Sequence, residues 1–177
     1  GYGNDIDDAV FELVKQAAAT TNDDVPFALN LSPAFFAQLG ALDKLKLLLQ
    51  WFSDNNQRIQ VEANYSAFSQ YKDAFLKVSA LVRNMGQIFG IDHLELSRSA
   101  QALQEVRPNY AKINARVLGD LSNAAEADGY RALRSLTSTL DIQLIAVGVE
   151  DKDVYERLVL LNIDAVQGNL LAVPEEL

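Results

Sequence analysis

The sequence contains no cysteine, one histidine, one tryptophan and one methionine. It therefore has no disulfide, no thiolate nucleophile and no cysteine-ligated zinc site. Long apolar runs are missing too, since none approaches the roughly 18–20 residues of a membrane-spanning helix. The opening stretch GYGNDIDDAV is polar and acidic and has none of the marks of a secretory signal. Basic residues are in the minority, with 15 Lys and Arg against 24 Asp and Glu and a formal net charge of -9. A surface of that sign repels phosphate backbones, which argues against nucleic acid as a partner. One small anionic ligand held by a metal or by a few local donors is still allowed. Neither G-x-G-x-x-G nor G-x-x-x-x-G-K-[ST] occurs, so the nucleotide-fold fingerprints are missing as well.

What is present is enough for a full core. The chain has 177 residues, 49% of them hydrophobic and 22% charged, as expected of one ordered domain. Apolar residues at Ile6, Val10, Leu13, Val14 and Ala17 have helical spacing, and Asp5, Asp7 and Asp8 suit a helix start. PFALNLSP, fenced by Pro26 and Pro33, reads as a strand, with Ser32 capping a helical stretch that begins at Pro33. A helix over Leu42–Phe52 and a strand RIQVEA follow. A long helix is predicted from Phe68 to Phe89, with Phe75, Val78, Leu81, Val82 and Met85 on one face. GIDHLEL then reads as a strand, SAQALQEVR as a short helix and NYAKIN as a strand. A helix over Asn123–Leu140, the strand IQLIAVGVE, the helix KDVYERLVLLN and a final strand IDAVQG complete the chain.

Strand and helix alternate about six times, which predicts parallel strands with helical crossovers. An open doubly wound sheet and a (β/α)8-type barrel both fit. In either, polar residues at the C-terminal ends of strands face the site. Here those residues are Asn30, Glu62, Asp92, His93, Lys112, Asn114, Glu150 and Gln167. The Asp92-His93 pair reads as a metal site, a catalytic pair or a hydrogen-bonded histidine at a strand end. Lys112 is either site-directed or a lysine paired with Asp92 or Glu150. Glu150 either faces the site or caps the helix that starts near Asp151. Phe35, Phe36, Trp51 and Phe52 read as core, and the acidic runs Asp5–Asp8 and Asp23-Asp24 as solvated faces.

The strand ends also carry motifs in a fixed order: ALNLSP (Ala28–Pro33), VEANYS (Val61–Ser66), AKIN (Ala111–Asn114), IAVGVED (Ile145–Asp151) and DAVQGNLLAVP (Asp164–Pro174). Their order and spacing resemble those of EAL domains, the bacterial cyclic-di-GMP phosphodiesterase family, over nearly the whole chain. The resemblance implies a modified TIM (β/α)8-type barrel. The Glu-Ala-Leu signature itself is absent, so the chain is expected to begin after the family's first strands. Active members hydrolyse a phosphodiester with two divalent cations held by hard oxygen ligands. By position, Asn30 matches the family's amide ligand, Glu62 the first Glu of E-[LI]-T-E and Asp92 the first of two adjacent aspartates. Lys112 matches the lysine of K-I-D, Glu150 the second Glu of E-G-V-E and Gln167 the Gln of Q-G.

The departures fall on the carboxylates. His93 stands at the second aspartate, Asn114 at the aspartate of K-I-D, and Val147 at the first Glu of E-G-V-E. Leu94, Glu95, Leu96 and Ser97 replace a glycine-containing loop, and Asn64 and Tyr65 replace the T-E that steadies it. Site carboxylates act as a unit, so these losses predict a domain without catalysis. Asn30, Glu62, Asp92, His93, Lys112, Glu150 and Gln167 are expected to line a vestigial ligand cleft. No metal is expected, with Asn30, Glu62 and Asp92 as the weak candidates; Mg or Mn enters only if the site is active. The chain resembles the inactive receptors of the LapD type, whose G-[IL]-x-H-F-G shares Gly90 and His93 with GIDHLE. The resemblance implies cyclic-di-GMP as ligand, a protein partner or homodimer, no membrane contact by this segment, and a cytoplasmic setting, alone or in a membrane-anchored multidomain protein. A scaffold without nucleotide is the alternative, and an active phosphodiesterase the third reading.

Overall fold

The computed structural model describes residues 2–20, 27–119 and 124–171, with the side chains of the first segment described from residue 8. Asp23, Asp24 and the side chains of Asp5 and Asp7 lie outside what is described, whereas Asp8 is exposed and bonds Lys44 Nζ at 2.6 Å. Two compact units are present, Gly1–Gly90 and Ile91–Leu177. Six strands occur among the described residues, where a closed (β/α)8 barrel has eight. No described helix is long and apolar enough to cross a membrane.

The first unit runs through α1 (Tyr2–Thr20), β1 (Phe27–Leu31), a 3-10 turn (Pro33–Ala37), α2 (Ala41–Asp54), β2 (Ile59–Asn64), α3 (Tyr65–Gln70) and α4 (Lys72–Asn84). It ends within β3 (Ile88–Asp92). As predicted, Ser32 caps the turn at Pro33, its Oγ accepting the Phe35 N–H at 3.3 Å. β1 and β2 are parallel, with Asn30 opposite Glu62. Leu29, Leu31, Val61 and Ala63 on one face of this pair are buried. Phe75 is the centre of the core: its ring stacks on Phe36 at 5.3 Å and meets Phe68 and Phe89 edge-on at 5.6 and 5.5 Å. Phe35, Phe36 and Phe52 are core residues as expected, and Trp51, half-buried, packs edge-on against Phe52.

The helix predicted over Phe68–Phe89 is two helices and the start of a strand. The chain turns at Tyr71 (φ -132°, ψ 47°), between α3 and α4. Gly86, at φ 73°, ends the second helix, and β3 starts two residues later. Ile88 and Phe89 continue the helical spacing of apolar residues by coincidence, so periodicity alone does not reveal the stop. Gln87, itself buried, takes the place of a backbone acceptor, its Oε1 receiving the Ile59 N–H at 2.9 Å.

The second unit continues through α5 (Ala100–Val106), β4 (Tyr110–Asn114), α6 (Ala115–Gly119), α7 (Ala124–Thr139), β5 (Gln143–Val147), α8 (Lys152–Leu160) and β6 (Ala165–Gln167). α6 was not foreseen: five residues are too few for a helical period to show. β4, β5 and β6 pair in parallel and in chain order, which aligns Asn114, Val147 and Gln167 in one row. Ala111, Ile113, Leu144 and Ala146 are fully buried on one face. Below the strands, Asp164 joins three elements. Its carboxylate takes two bonds from the Arg134 guanidinium, at 2.5 and 2.8 Å, and one from the Leu144 N–H at 2.8 Å.

Among the described residues, each helix-to-strand turn contains one left-handed residue: Asn56, Gly86, Arg107, Asp141 and Asn162, at φ 57°, 73°, 48°, 57° and 56°. Such a residue ends a helix by turning its last amides back onto the final carbonyls. Asn and Asp tolerate this region better than most side chains. At the opposite end of β6, backbone approaches backbone. Val149 N–H bonds the Gln167 carbonyl at 3.1 Å and Leu170 N–H bonds the Val149 carbonyl at 3.1 Å. A Cβ on Gly168 would lie 2.2 Å from the Val149 oxygen, so the Q-G pair requires its glycine for space.

Two outcomes follow from the second unit. Gly168→Ala should lower stability by about 1–3 kcal/mol through overpacking, seen as a lower urea midpoint with an unchanged slope. Tyr130 is buried and donates to the Leu161 carbonyl at 2.7 Å. Burial raises its phenol above the ordinary value of 10.0, Arg134 opposes the shift and Asp164 adds to it. A raised folded pKa means that this stabilisation is whole below pH 10.0 and is lost as pH rises through the folded value. Tyr130→Phe should be less stable at neutral pH by about 1 kcal/mol, and the gap should narrow in alkaline urea melts.

Candidate functional site

The strand-end residues singled out in the sequence fall on both units. In the first, Asn30 and Glu62 are brought together as register partners. Asn30 is exposed, while Glu62 is only 2% exposed, an unusual depth for a carboxylate. One turn on, Asn64 Oδ1 accepts the Ser66 N–H at 2.8 Å and caps α3. Tyr65 is buried and stacks on Phe68 at 6.3 Å. Asn64 and Tyr65 thus contribute a cap and a ring contact to this turn.

In the second unit, Asp92 ends β3 and His93 follows in the left-handed region at φ 55°. That conformation folds the histidine back on its neighbour. The His93 backbone N–H bonds Asp92 Oδ1 at 2.7 Å, and ring Nδ1 lies 3.0 Å from Asp92 Oδ2. One residue thereby occupies both oxygens of the carboxylate, and the imidazole itself stays 72% exposed. Among the three readings of this pair, the hydrogen-bonded histidine is the one that the contacts describe. The next amide, of Leu94, bonds the Lys112 carbonyl at 2.8 Å and ties the turn to β4.

Lys112 is half-buried on β4, its ammonium 5.8 Å from the Tyr110 ring centre. Asn114 at the strand end accepts the Arg116 N–H through Oδ1 at 2.8 Å. The Arg116 side chain reaches the loop after β5 and bonds Glu150 Oε2 at 2.8 Å. Both partners of this pair are exposed. Glu150 is therefore not the cap of α8. Asp151 is, its Oδ1 accepting the Val154 N–H at 2.8 Å. Gln167 is exposed, in register with Val147 and through it with Asn114, so that row is uncharged.

Sequence reasoning passed over Arg116 and Asp164. Arg116 carries a faint signal, standing two residues past a strand-end Asn at the first turn of a short helix. Asp164 carries none, because it precedes its strand and looks like any turn aspartate. Among the described residues, no three His, Asp or Glu side chains are grouped as metal ligands.

Residues 1–174 match the EAL domain family. A bifunctional diguanylate cyclase/cyclic di-GMP phosphodiesterase, MucR of Pseudomonas aeruginosa, is 28% identical over 153 residues, which is 85% of this chain and 22% of that protein. The S helix-GGDEF-EAL structure of Vibrio cholerae LapD, bound to c-di-GMP, superposes with a TM-score of 0.83 at 23% identity, covering 94% of this chain and 41% of that one. The Xanthomonas citri FimX EAL domain in complex with c-di-GMP gives a TM-score of 0.74 at 18% identity, covering 96% and 67%. The chain thus spans less than half the length of the MucR and LapD proteins it resembles. Parallel βα units, strand-end motifs and the family match agree, and the chain belongs to the EAL domain family.

Proposed function

We propose that this EAL domain is catalytically inactive and serves c-di-GMP signalling as a nucleotide receptor or regulatory module. One observation carries the reading: the carboxylates expected around the reacting phosphate are replaced at His93, Asn114 and Val147, and Asp92 and Glu150 are engaged by His93 and Arg116. Two-metal hydrolysis needs carboxylates to hold the cations and orient water, and neutral replacements remove both charge and ligand atoms. The residues proposed to contact ligand are Asn30 and Glu62 in the first unit and Asp92, His93, Lys112, Glu150 and Gln167 in the second. Lys112 supplies positive charge for a phosphate and Gln167 an amide for hydrogen bonding. The EAL structures of LapD and FimX are complexes with c-di-GMP, which supports that ligand here. Signal output requires a protein partner or a second copy, in a cytoplasmic setting.

Calorimetric titration of c-di-GMP into the domain, with and without magnesium, tests the receptor reading. Binding should be independent of the metal, and Lys112→Ala and Gln167→Ala should each weaken it by about tenfold, the loss of a charge-assisted or buried hydrogen bond. A folded sample that takes up no nucleotide sinks the receptor reading and leaves the scaffold. Turnover is checked separately by chromatography: no linear pGpG should form with magnesium or manganese. Its appearance would restore the phosphodiesterase.

A further inference from the structure

The family resemblance implies two divalent cations, and the second unit does not fit them. Each oxygen of Asp92 already faces one His93 donor, so a cation there must compete with both contacts for the carboxylate. Glu150 accepts a hydrogen bond from the Arg116 guanidinium on one oxygen, at 2.8 Å. We infer that His93 and Arg116 are built-in substitutes for metal ions, each occupying a strand-end carboxylate from within the chain. The substitution works differently in the two places. His93 acts by proximity, since its own backbone conformation delivers one donor and its ring a second. Arg116 acts by charge: it is held at the strand end by the Asn114 cap, and its guanidinium crosses 34 residues of sequence to Glu150.

Each pair therefore fixes its carboxylate's direction as a bound cation does, and Arg116 also offsets the charge of Glu150. Competition with cations at these two carboxylates does not depend on nucleotide binding. The alternative is a carboxylate that pairs loosely with its neighbour and yields to a metal on demand.

Manganese binding decides between them, with the free ion counted by its electron paramagnetic resonance signal at neutral pH and low salt. The native domain should leave the ion free. Arg116→Ala together with His93→Asp should bind manganese at least about tenfold more tightly, the scale on which ligand-orienting groups change metal affinity. Adding Glu150→Gln should remove the part of the gain that comes from Arg116. His93→Gly is the companion variant, because glycine takes up φ 55° without strain and opens Asp92 without adding a carboxylate. Native binding as tight as that of the double variant would overturn the inference. So would unchanged affinity in every variant, given urea midpoints near the native one, or a gain that Glu150→Gln leaves undiminished.

Discussion

Parallel register is the constraint on which the site depends. Side chains alternate along a strand, so a slip of one residue would exchange the buried face for the polar one along its whole length. Leu29, Leu31, Val61 and Ala63 bind the first pair to its buried face, and Ala111, Ile113, Leu144 and Ala146 do the same in the second unit. With those positions buried, Asn30 must stand opposite Glu62, and Asn114 beside Val147. The placement of the polar strand-end residues is thus a by-product of hydrophobic burial. Their chemical identity is free to change while their positions are not.

The two ends of the strands carry different work. Where strands begin, polar groups serve the fold: Gln87 replaces a missing ladder acceptor, Asp164 binds a guanidinium and an amide, and left-handed residues stop the helices. Where strands end, the contacts lie at or near the surface, as in the Asp92-His93 turn and the Arg116–Glu150 pair. An exposed ion pair of this kind contributes about 0–1 kcal/mol to stability. The loss of acidic residues at the strand ends therefore removes little from the fold, and a family member can part with its hydrolytic chemistry and stay folded.

The alternation of strands and helices was legible in the sequence, because parallel strands buried on one face produce short apolar runs and crossover helices a longer period. Turn chemistry helped where it was distinctive, as at Ser32-Pro33. It failed at Gly86, where apolar residues happened to continue the helical spacing past the stop. The strand-end residues were legible as a set because their order matched a family pattern; Asp92, Asn114 and Gln167 do end strands, whereas Glu62 and Lys112 stand two residues short of a strand end and Glu150 three past one. Their partners were not legible. Glu150 was weighed as a cap and Lys112 as the partner of Asp92 or Glu150, while the cation on Glu150 comes from Arg116. Pairing across 34 residues depends on side-chain direction at two loops, which no periodicity encodes.

The separation between partners differs sharply for the two locks, and that difference has a consequence for biogenesis. The ends of the Arg116–Glu150 contact meet only after β4 and β5 have paired, since the intervening chain must first be ordered. His93 is joined to Asp92 by one peptide bond, so closing that contact restricts little chain. The two contacts therefore differ in what the chain must order to make them: one turn for the first, a paired sheet for the second.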